Sequence, residues 1–247
     1  MKTLLKIAWR NVWRNKGRSF AIIIAISIGL WGGIFGTSIS TGLINQQFES
    51  SIKNRVSHLQ IHNPDFINEK NSKYTIQNEI EIRKYLNNSN KVFAYTSRIL
   101  NNGMLMTAKS SSGVNIYGID SESENKTTKL KHNTIEGRYL DSINSRNPIL
   151  IGASLANNKK ISVGNRIILT FQDVNGEIVS ASFKVCGIYR TANSSLDEQN
   201  VYVKKSDFSK LLGDNDFSNE IAILLNDFNN AEPFKEELKN VLTEMEI

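Results

Sequence analysis

Cysteine, proline and histidine are scarce in this sequence of 247 residues, with one, three and three copies. The single cysteine, Cys186, excludes an internal disulfide and a multi-cysteine metal site. It lies in the alternating run Phe183–Ile188, which favours a strand position for a small apolar side chain. His58 and His62 would lie about 13 Å apart along a strand, too far for one metal ion. The sequence therefore predicts no metal centre.

Acidic residues are absent from residues 1–19, although this segment holds six of the 30 basic residues. The remaining 24 basic residues equal the 24 acidic ones, so the net charge of +6 comes from the N-terminal segment alone. A charge confined to one end is a topological signal and does not predict a phosphate-binding groove. We therefore expect no nucleic-acid partner.

Charged residues are also absent between Ser19 and Phe48. Residues 20–44 hold 15 apolar residues, five glycines and five serines or threonines. A helix over these 25 positions would be roughly 37 Å long, enough to cross about 30 Å of hydrocarbon with some tilt. We predict a transmembrane helix over residues 19–46. Signal-peptide cleavage near Ser38-Ile39-Ser40 is the alternative, which the length of the apolar run opposes.

The basic residues before the helix predict its orientation. They place residues 1–18 in the cytoplasm and residues 47–247 outside the inner (plasma) membrane. Within the cytoplasmic segment, Leu5, Ala8, Trp9, Val12 and Trp13 share one helical face.

On the other face of this segment, Lys6, Arg10 and Arg14 recur every four residues. Tryptophan at headgroup level and arginine beside anionic lipid are typical of an amphipathic interfacial helix. Trp9, Trp13, Arg10 and Arg14 are therefore the candidate membrane-interface residues.

The predicted spanning helix carries a stripe of small residues, Gly29, Gly33, Gly36 and Ser40. Small side chains let a second helix approach closely in a membrane. Glycine is also simply common in membrane helices. The length of the stripe favours a packing face for a helix of another subunit or of another part of the same polypeptide.

The region after the membrane helix predicts an α+β fold rich in strands. Strands are predicted over Val56–His62, Val92–Leu100, Met104–Lys109, Val114–Ile119, Ile149–Ile151, Arg166–Asp173, Glu177–Tyr189, Val201–Val203 and Ile221–Leu225. Helices are predicted over Ile76–Asn87, Ser206–Leu212 with Ser206 as N-cap, and Ala231–Met245; the polar stretch Ser121–Asn133 indicates a loop. Asn101-Asn102-Gly103 and Val174-Asn175-Gly176 indicate turns.

Catalytic motifs are absent or incomplete. The sequence contains no phosphate loop and no H-E-x-x-H motif. Ser154 lies in a near match to a nucleophile elbow, but no histidine follows it to act as a base. Ser123 and Lys126 formally match S-x-x-K within a charged stretch. We therefore expect that the chain is not an enzyme and binds no cofactor itself.

Several motifs occur along the chain in an order that resembles one family of membrane proteins. The start, Ala8–Arg18, resembles the opening of ABC transporter permeases of the MacB/FtsX-like superfamily, closest to the lipoprotein-releasing LolC/LolE-like permeases. Ile135–Leu140, Ile149–Ala156 and Val163–Ile167 resemble successive stretches of the same family, with Asn165 in place of the usual acid. Phe183–Ile188 and Val201–Val203 follow in the family's order.

This resemblance implies an interfacial helix, a first span and a MacB-like periplasmic domain, with a β-rich inserted subdomain roughly over residues 111–195. It implies that a partner cytoplasmic ABC ATPase binds and hydrolyses ATP. It also implies a second permease copy or paralogue, and work on a lipoprotein, peptide or drug. Three further spans of the family lie outside this sequence, so we expect an N-terminal portion of a permease or a truncated member.

A single-span binding or sensor module without transport activity is the alternative function. The absence of further spans from the 247 residues favours it, and the ordered motifs oppose it.

Overall fold

A computed structural model describes residues 2–51, 57–69, 72–142, 146–213 and 217–244. The chain divides into two units, residues 1–48 and residues 49–247.

The first unit contains α1 (Lys2–Arg14) and residues 16–48 of α2 (Lys16–Ser51). They meet at Asn15, where the Ser19 amide donates to the Asn15 carbonyl at 3.1 Å and the Ser19 hydroxyl donates to the Val12 carbonyl at 2.8 Å. Within the described residues, the stretch Lys16–Ile44 of α2 is the one helical segment long and apolar enough to cross a membrane. It overlaps the span predicted over residues 19–46.

The second unit contains seven helices and nine strands among the described residues. The helices are α3 (Pro64–Glu69), α4 (Glu79–Asn88), α5 (Ser121–Thr127), α6 (Ala153–Lys159), α7 (Ser194–Gln199), α8 (Lys205–Leu211) and α9 (Ala231–Glu244). The strands are β1 (Leu59–His62), β2 (Val92–Met106), β3 (Ser111–Ile119), β4 (Thr134–Gly137), β5 (Pro148–Gly152), β6 (Arg166–Gln172), β7 (Ile178–Tyr189), β8 (Asn200–Lys204) and β9 (Glu220–Leu225). The predicted α+β class is confirmed.

Strand pairing closes part of the sheet into a ring. The strand order is β1-β9-β2-β3-β8-β5-β7-β4, and β6 pairs with both β2 and β7. The six strands β2, β3, β8, β5, β7 and β6 therefore form a closed circuit of hydrogen-bonded neighbours. Strand β2 is long because its C-terminal part belongs to this ring while its N-terminal part pairs with β9.

Two apolar cores stabilise the two parts of the sheet. Alternate residues of the ring strands form the larger core, which includes Ile99, Leu105, Leu169, Phe183 and Val203. Beside the ring, α4 and α9 pack against β1 and β9 through Ile82, Leu86, Ile223, Phe234 and Leu238. Full burial of a side chain of this kind contributes about 1.5–3 kcal/mol, so the sheet and its helices are held together by the hydrophobic effect.

The hairpin predicted around Val174-Asn175-Gly176 is confirmed. Strands β6 and β7 pair from Arg166↔Lys184 to Gln172↔Ile178. The Asp173 carboxylate accepts from the amides of Asn175 and Glu177 at 2.9 and 2.8 Å. Gly176 has φ of 88°, a conformation that glycine adopts without steric cost.

The turn predicted at Asn101-Asn102-Gly103 is wrong, because β2 continues through it. A Cβ atom at Gly103 would lie 2.7 Å from the Thr170 carbonyl oxygen and 2.8 Å from Cδ1 of Ile116. Glycine is needed here because β6 crosses close to β2, and no turn is formed.

The loop predicted over Ser121–Asn133 is also wrong in its first half, where α5 forms. Asp120 caps this helix by accepting from the Ser123 amide at 2.9 Å, and Glu124 is buried. Ser206 is not the N-cap of α8, since the helix begins at Lys205 after Lys204. Val56 and Met245, the predicted ends of two other elements, lie outside the described residues.

Candidate membrane and subunit interface

Helix α1 brings its predicted membrane-facing aromatic residues together. The ring centroids of Trp9 and Trp13 lie 6.1 Å apart, and both side chains are exposed. The Lys16 ammonium lies 6.0 Å from the Trp13 ring centroid. Arg10 and Arg14, one turn apart, are exposed as well. This pairing of aromatic and cationic groups matches what an interfacial helix presents to headgroups.

Three other residues of this helix, Leu4, Ile7 and Val12, also expose apolar side chains. The side chains of Leu5 and Ala8, which were assigned to the apolar face, lie outside the described part of the structure. The described apolar residues of α1 nevertheless leave a substantial uncovered surface for a membrane to bury.

Helix α2 carries the small-residue stripe along one face. Gly29, Gly33, Gly36 and Ser40 follow helical spacing. A Cβ atom added at any of the three glycines would meet nothing within 4 Å. Contacts within the chain therefore do not require glycine at these positions, and the backbone of this face is open to another helix.

The hydroxyl group of Thr37 has its partners within α2. Thr37 donates to the carbonyls of Gly33 and Ile34 at 3.1 and 3.0 Å. Such bonds satisfy a hydroxyl inside lipid without a second chain. Trp31 and Phe35 stack with ring centroids 5.9 Å apart, and both side chains are exposed.

His58 and His62, four residues apart, make separate contacts with the backbone. Nδ1 of His58 accepts from the Leu225 amide at 3.0 Å. Burial lowers the pKa of His58, although the charge of Asp227 acts in the opposite direction. Nδ1 of His62 lies 2.9 Å from the Asn219 carbonyl oxygen. No cluster of three or more metal-binding side chains occurs among the described residues.

The serine and cysteine candidates occupy structural positions. Ser154 lies in α6, after Gly152, whose backbone packs so tightly on Asp197 that a Cβ atom would lie 1.9 Å from the Asp197 carbonyl oxygen. Cys186 is buried, and burial raises the pKa of its thiol to about 11. A thiol in that environment is a packing group and a poor nucleophile.

A buried ion cluster surrounds Arg98, and no sequence motif predicts it. Its guanidinium donates to Glu124 through two bonds of 2.8 Å and to Glu220 through one of 2.6 Å. Each of these three side chains is at least 95% buried. Burial alone would lower the pKa of Arg98, but the two carboxylates raise it. Nε2 of His62 lies 3.4 Å from the second Glu220 oxygen.

This cluster joins β2, α5, β9 and β1 at the place where β2 leaves the ring. Its members are separated by 26 and 122 residues in the sequence. No local pattern could have revealed it, because the partners meet only through the fold.

Comparison with family models gives no match, and comparison with curated proteins gives none either. Among solved structures, the periplasmic region of MacB from Actinobacillus actinomycetemcomitans matches 75% of this chain and 82% of its own chain. The TM-score is 0.51 and the sequence identity is 21%. The matched part of the chain has the fold of a MacB periplasmic region.

Two other solved structures are similar to a lesser degree. The extracellular domain of the noncanonical ABC-type transporter YknZ from Gram-positive bacteria has 16% identity, a TM-score of 0.47, and coverage of 70% of this chain and 86% of its own. A domain of a putative permease protein from Porphyromonas gingivalis has 14% identity, a TM-score of 0.43, and coverage of 66% and 74%. The fold assignment rests on the MacB structure, since it alone of these three exceeds a TM-score of 0.5.

Proposed function

We propose that this chain is a permease subunit, or the N-terminal portion of one, in an ABC transporter of the MacB/FtsX-like superfamily. In this role it couples ATP hydrolysis by a partner to work outside the membrane. The cargo classes that we propose are a lipoprotein, a peptide or a toxic small molecule, with the lipoprotein-releasing permeases as the nearest group.

One observation carries the proposal: a basic helix and a long apolar helix precede a unit with the MacB periplasmic fold. The six basic residues of the first 19 favour a cytoplasmic N-terminus. The folded unit then lies on the extracytoplasmic side of the inner membrane, like the periplasmic region of MacB.

The proposed partners follow from what the chain offers. The sequence has no phosphate loop, so we assign nucleotide binding to a cytoplasmic ABC ATPase subunit. The open face of Gly29, Gly33, Gly36 and Ser40 supports packing against a span of a second permease copy or paralogue. The exposed Trp9 and Trp13 support contact with membrane lipid.

Affinity purification from detergent-solubilised native membranes, followed by mass spectrometry, tests the proposal. We expect an ABC-type ATPase to be recovered with the tagged protein in near-stoichiometric amount. Membranes from cells that carry the Gly33→Leu variant provide a matched sample, with which recovery of the ATPase is compared. Recovery of the tagged protein without any ATPase would contradict the permease assignment.

A single-span binding module is the second candidate. The feature that favours it is an open groove of about 780 Å³ on the folded unit, lined by residues of α4, β2, α5 and α8, which can bind a ligand without ATP-driven movement. Binding that is unchanged by depletion of the cell's ATP, in a protein purified without an ATPase, would support this candidate over the first.

A further inference from the structure

Two cations face each other on the outer surface of the ring. Arg166 is the first residue of β6, and Lys184 of β7 lies directly opposite it in the register. Their neighbours Ile167 and Phe183 belong to the ring core. Because side chains alternate between the two faces of a strand, Arg166 and Lys184 lie together on the outer face, where both are exposed.

The strand pairing brings these two side chains close together. The Lys184 amide donates to the Asn147 carbonyl at 3.0 Å, towards β5, and the Val185 amide donates to the Asn165 carbonyl at 2.9 Å, towards β6. Arg166 and Lys184 therefore form a non-hydrogen-bonded pair, the type in which facing side chains are closest. Like charges that face each other across two strands destabilise a sheet, so the pair is unfavourable unless an anion lies beside it.

A third cation lines the same cavity. Arg146, Arg166 and Lys184 surround a space of about 650 Å³, together with the hydroxyl-bearing Ser180 and Ser182 of β7. We call it the cationic cavity. Its volume lies within the roughly 300–1,000 Å³ typical of ligand sites. Of the described residues that line it, none is acidic.

The three cations of the cavity have no counter-charge in the described part of the chain. None of them forms an ion pair or a side-chain hydrogen bond there, whereas Lys126 and Lys131 each pair with a carboxylate. Residues 20–247 hold 24 basic and 24 acidic side chains, so the cavity is a local excess of positive charge. Such an excess attracts an anion with more than one negative charge.

A phosphoryl group fits this chemistry best. It carries about −1.5 to −2 charge at neutral pH and three acceptor oxygens. An arginine guanidinium presents parallel N–H donors that bind two such oxygens at once, and a lysine adds a compact charge. A carboxylate brings a single charge, which leaves two of the three cations without a counter-charge.

We propose that the cationic cavity binds the phosphoryl group of a phosphate ester, either soluble or carried by a lipid. Arg146 and Arg166 donate to its oxygens, and Lys184 supplies the remaining positive charge. Binding replaces the repulsion between Arg166 and Lys184 by attraction to a shared anion. The site is independent of the proposed transport function, because it requires neither an ATPase nor further spans.

Titration calorimetry of the full chain in phosphatidylcholine nanodiscs tests the proposal, with glycerol 3-phosphate as the probe. We expect saturable binding with a Kd on the order of 1 mM. A rise in NaCl from about 0.05 M to 0.5 M should weaken binding severalfold, because salt screens exposed charges. Acetate, with a single negative charge, should bind about tenfold more weakly.

Vesicles identify the source of the phosphoryl group. Phosphatidic acid in phosphatidylcholine vesicles, at the same accessible phosphate concentration, should displace glycerol 3-phosphate if the ligand is a lipid. If the ligand is soluble, glycerol 3-phosphate should bind and these vesicles should not displace it. Either result supports the phosphoryl site, and vesicles of phosphatidylcholine alone are the control.

Variants identify the side chains involved. Arg166→Gln and Lys184→Gln should each weaken binding of glycerol 3-phosphate about fivefold. Lys129→Gln is the matched control, because Lys129 is exposed and lies outside the cationic cavity; it should leave binding unchanged. Lys184→Gln should also raise the urea midpoint of the second unit, since it removes a repulsion between facing strands. A residue with a merely structural role would show the opposite change in stability.

Any of three results would overturn the proposal. The first is no saturable binding of glycerol 3-phosphate up to about 10 mM. The second is equal weakening by Lys184→Gln and Lys129→Gln, which would mean that the whole surface attracts the anion without a site. The third is a lower urea midpoint for Lys184→Gln, which would give this cation a structural role.

Discussion

Removal of Arg98 should destabilise the folded unit far more than removal of the whole ion cluster. Arg98→Met leaves Glu124 and Glu220 buried without the cation that both of them contact at 2.6–2.8 Å. Breaking a buried ion pair from one side costs about 3–5 kcal/mol, whereas replacing all members by apolar groups of similar volume is often neutral. We therefore expect the triple variant Arg98→Met, Glu124→Leu, Glu220→Leu to recover most of the loss.

The thiol of Cys186 provides the assay. It is the only cysteine and is buried in the folded unit, whereas all three tryptophans lie in residues 1–48. Its labelling in urea therefore reports unfolding of the second unit alone. With an m value of about 2–3 kcal/mol/M, Arg98→Met should lower the urea midpoint by roughly 1–2 M.

Two results would refute this reasoning about the cluster. A midpoint for Arg98→Met within about 0.3 M of the wild-type value would mean that the two carboxylates do not depend on the cation. A triple variant as unstable as Arg98→Met would mean that the loss comes from packing and not from uncompensated charge.

Three further predictions concern the membrane helices and pH. Gly33→Leu should lower recovery of the assembled complex but leave membrane insertion intact, and Gly42→Leu, on the opposite face of α2, should change neither; equal yields for both variants would contradict a packing stripe. Trp9 and Trp13 should be shielded from an aqueous quencher in anionic liposomes, in a background without the third tryptophan, and full quenching of both would contradict interfacial seating. Because burial lowers the pKa of His58, the unfolded chain takes up a proton more readily than the folded one as pH falls through about 6.5. Stability should therefore fall between pH 7.5 and 5.5, and His58→Gln should flatten the change in urea midpoint; an identical slope in that variant would exclude His58 as a source.

Local signals predicted those parts of the fold that depend on neighbours in sequence. The β6–β7 hairpin could be predicted because Asn175-Gly176 separates two alternating runs. The apolar helix α2 could be predicted because its residues alone decide whether it is stable in lipid. A separate inserted subdomain over residues 111–195 stays a prediction, since the strands of that range share one sheet with β2 and β9.

Contacts between distant parts of the chain explain the errors. Gly103 indicates a turn in the sequence, because glycine is common in turns. In the structure, glycine is needed there to leave room for Thr170 on another strand, and the local sequence does not show that contact. The stretch that forms α5 indicates a loop because it is polar, yet its residue Glu124 is buried and accepts from Arg98, a distant residue on β2.

The candidate sites also differ in whether the sequence alone could identify them. The tryptophans of α1 and the glycines of α2 could be identified from sequence because helical spacing alone places them on common faces. Their roles as a lipid contact and a packing face stay predictions. The buried cluster around Arg98 could not be identified, because its partners meet only through the fold.

Cysteine accessibility in intact cells tests most directly the claim that the first unit anchors an extracytoplasmic domain. Cysteine is introduced at Thr3 or at Ile178, both exposed, and Cys186 stays in place because it is buried. A membrane-impermeant maleimide should label Ile178→Cys in intact cells and Thr3→Cys only after lysis. Labelling of Thr3→Cys in intact cells, or of Ile178→Cys only after lysis, would contradict the account.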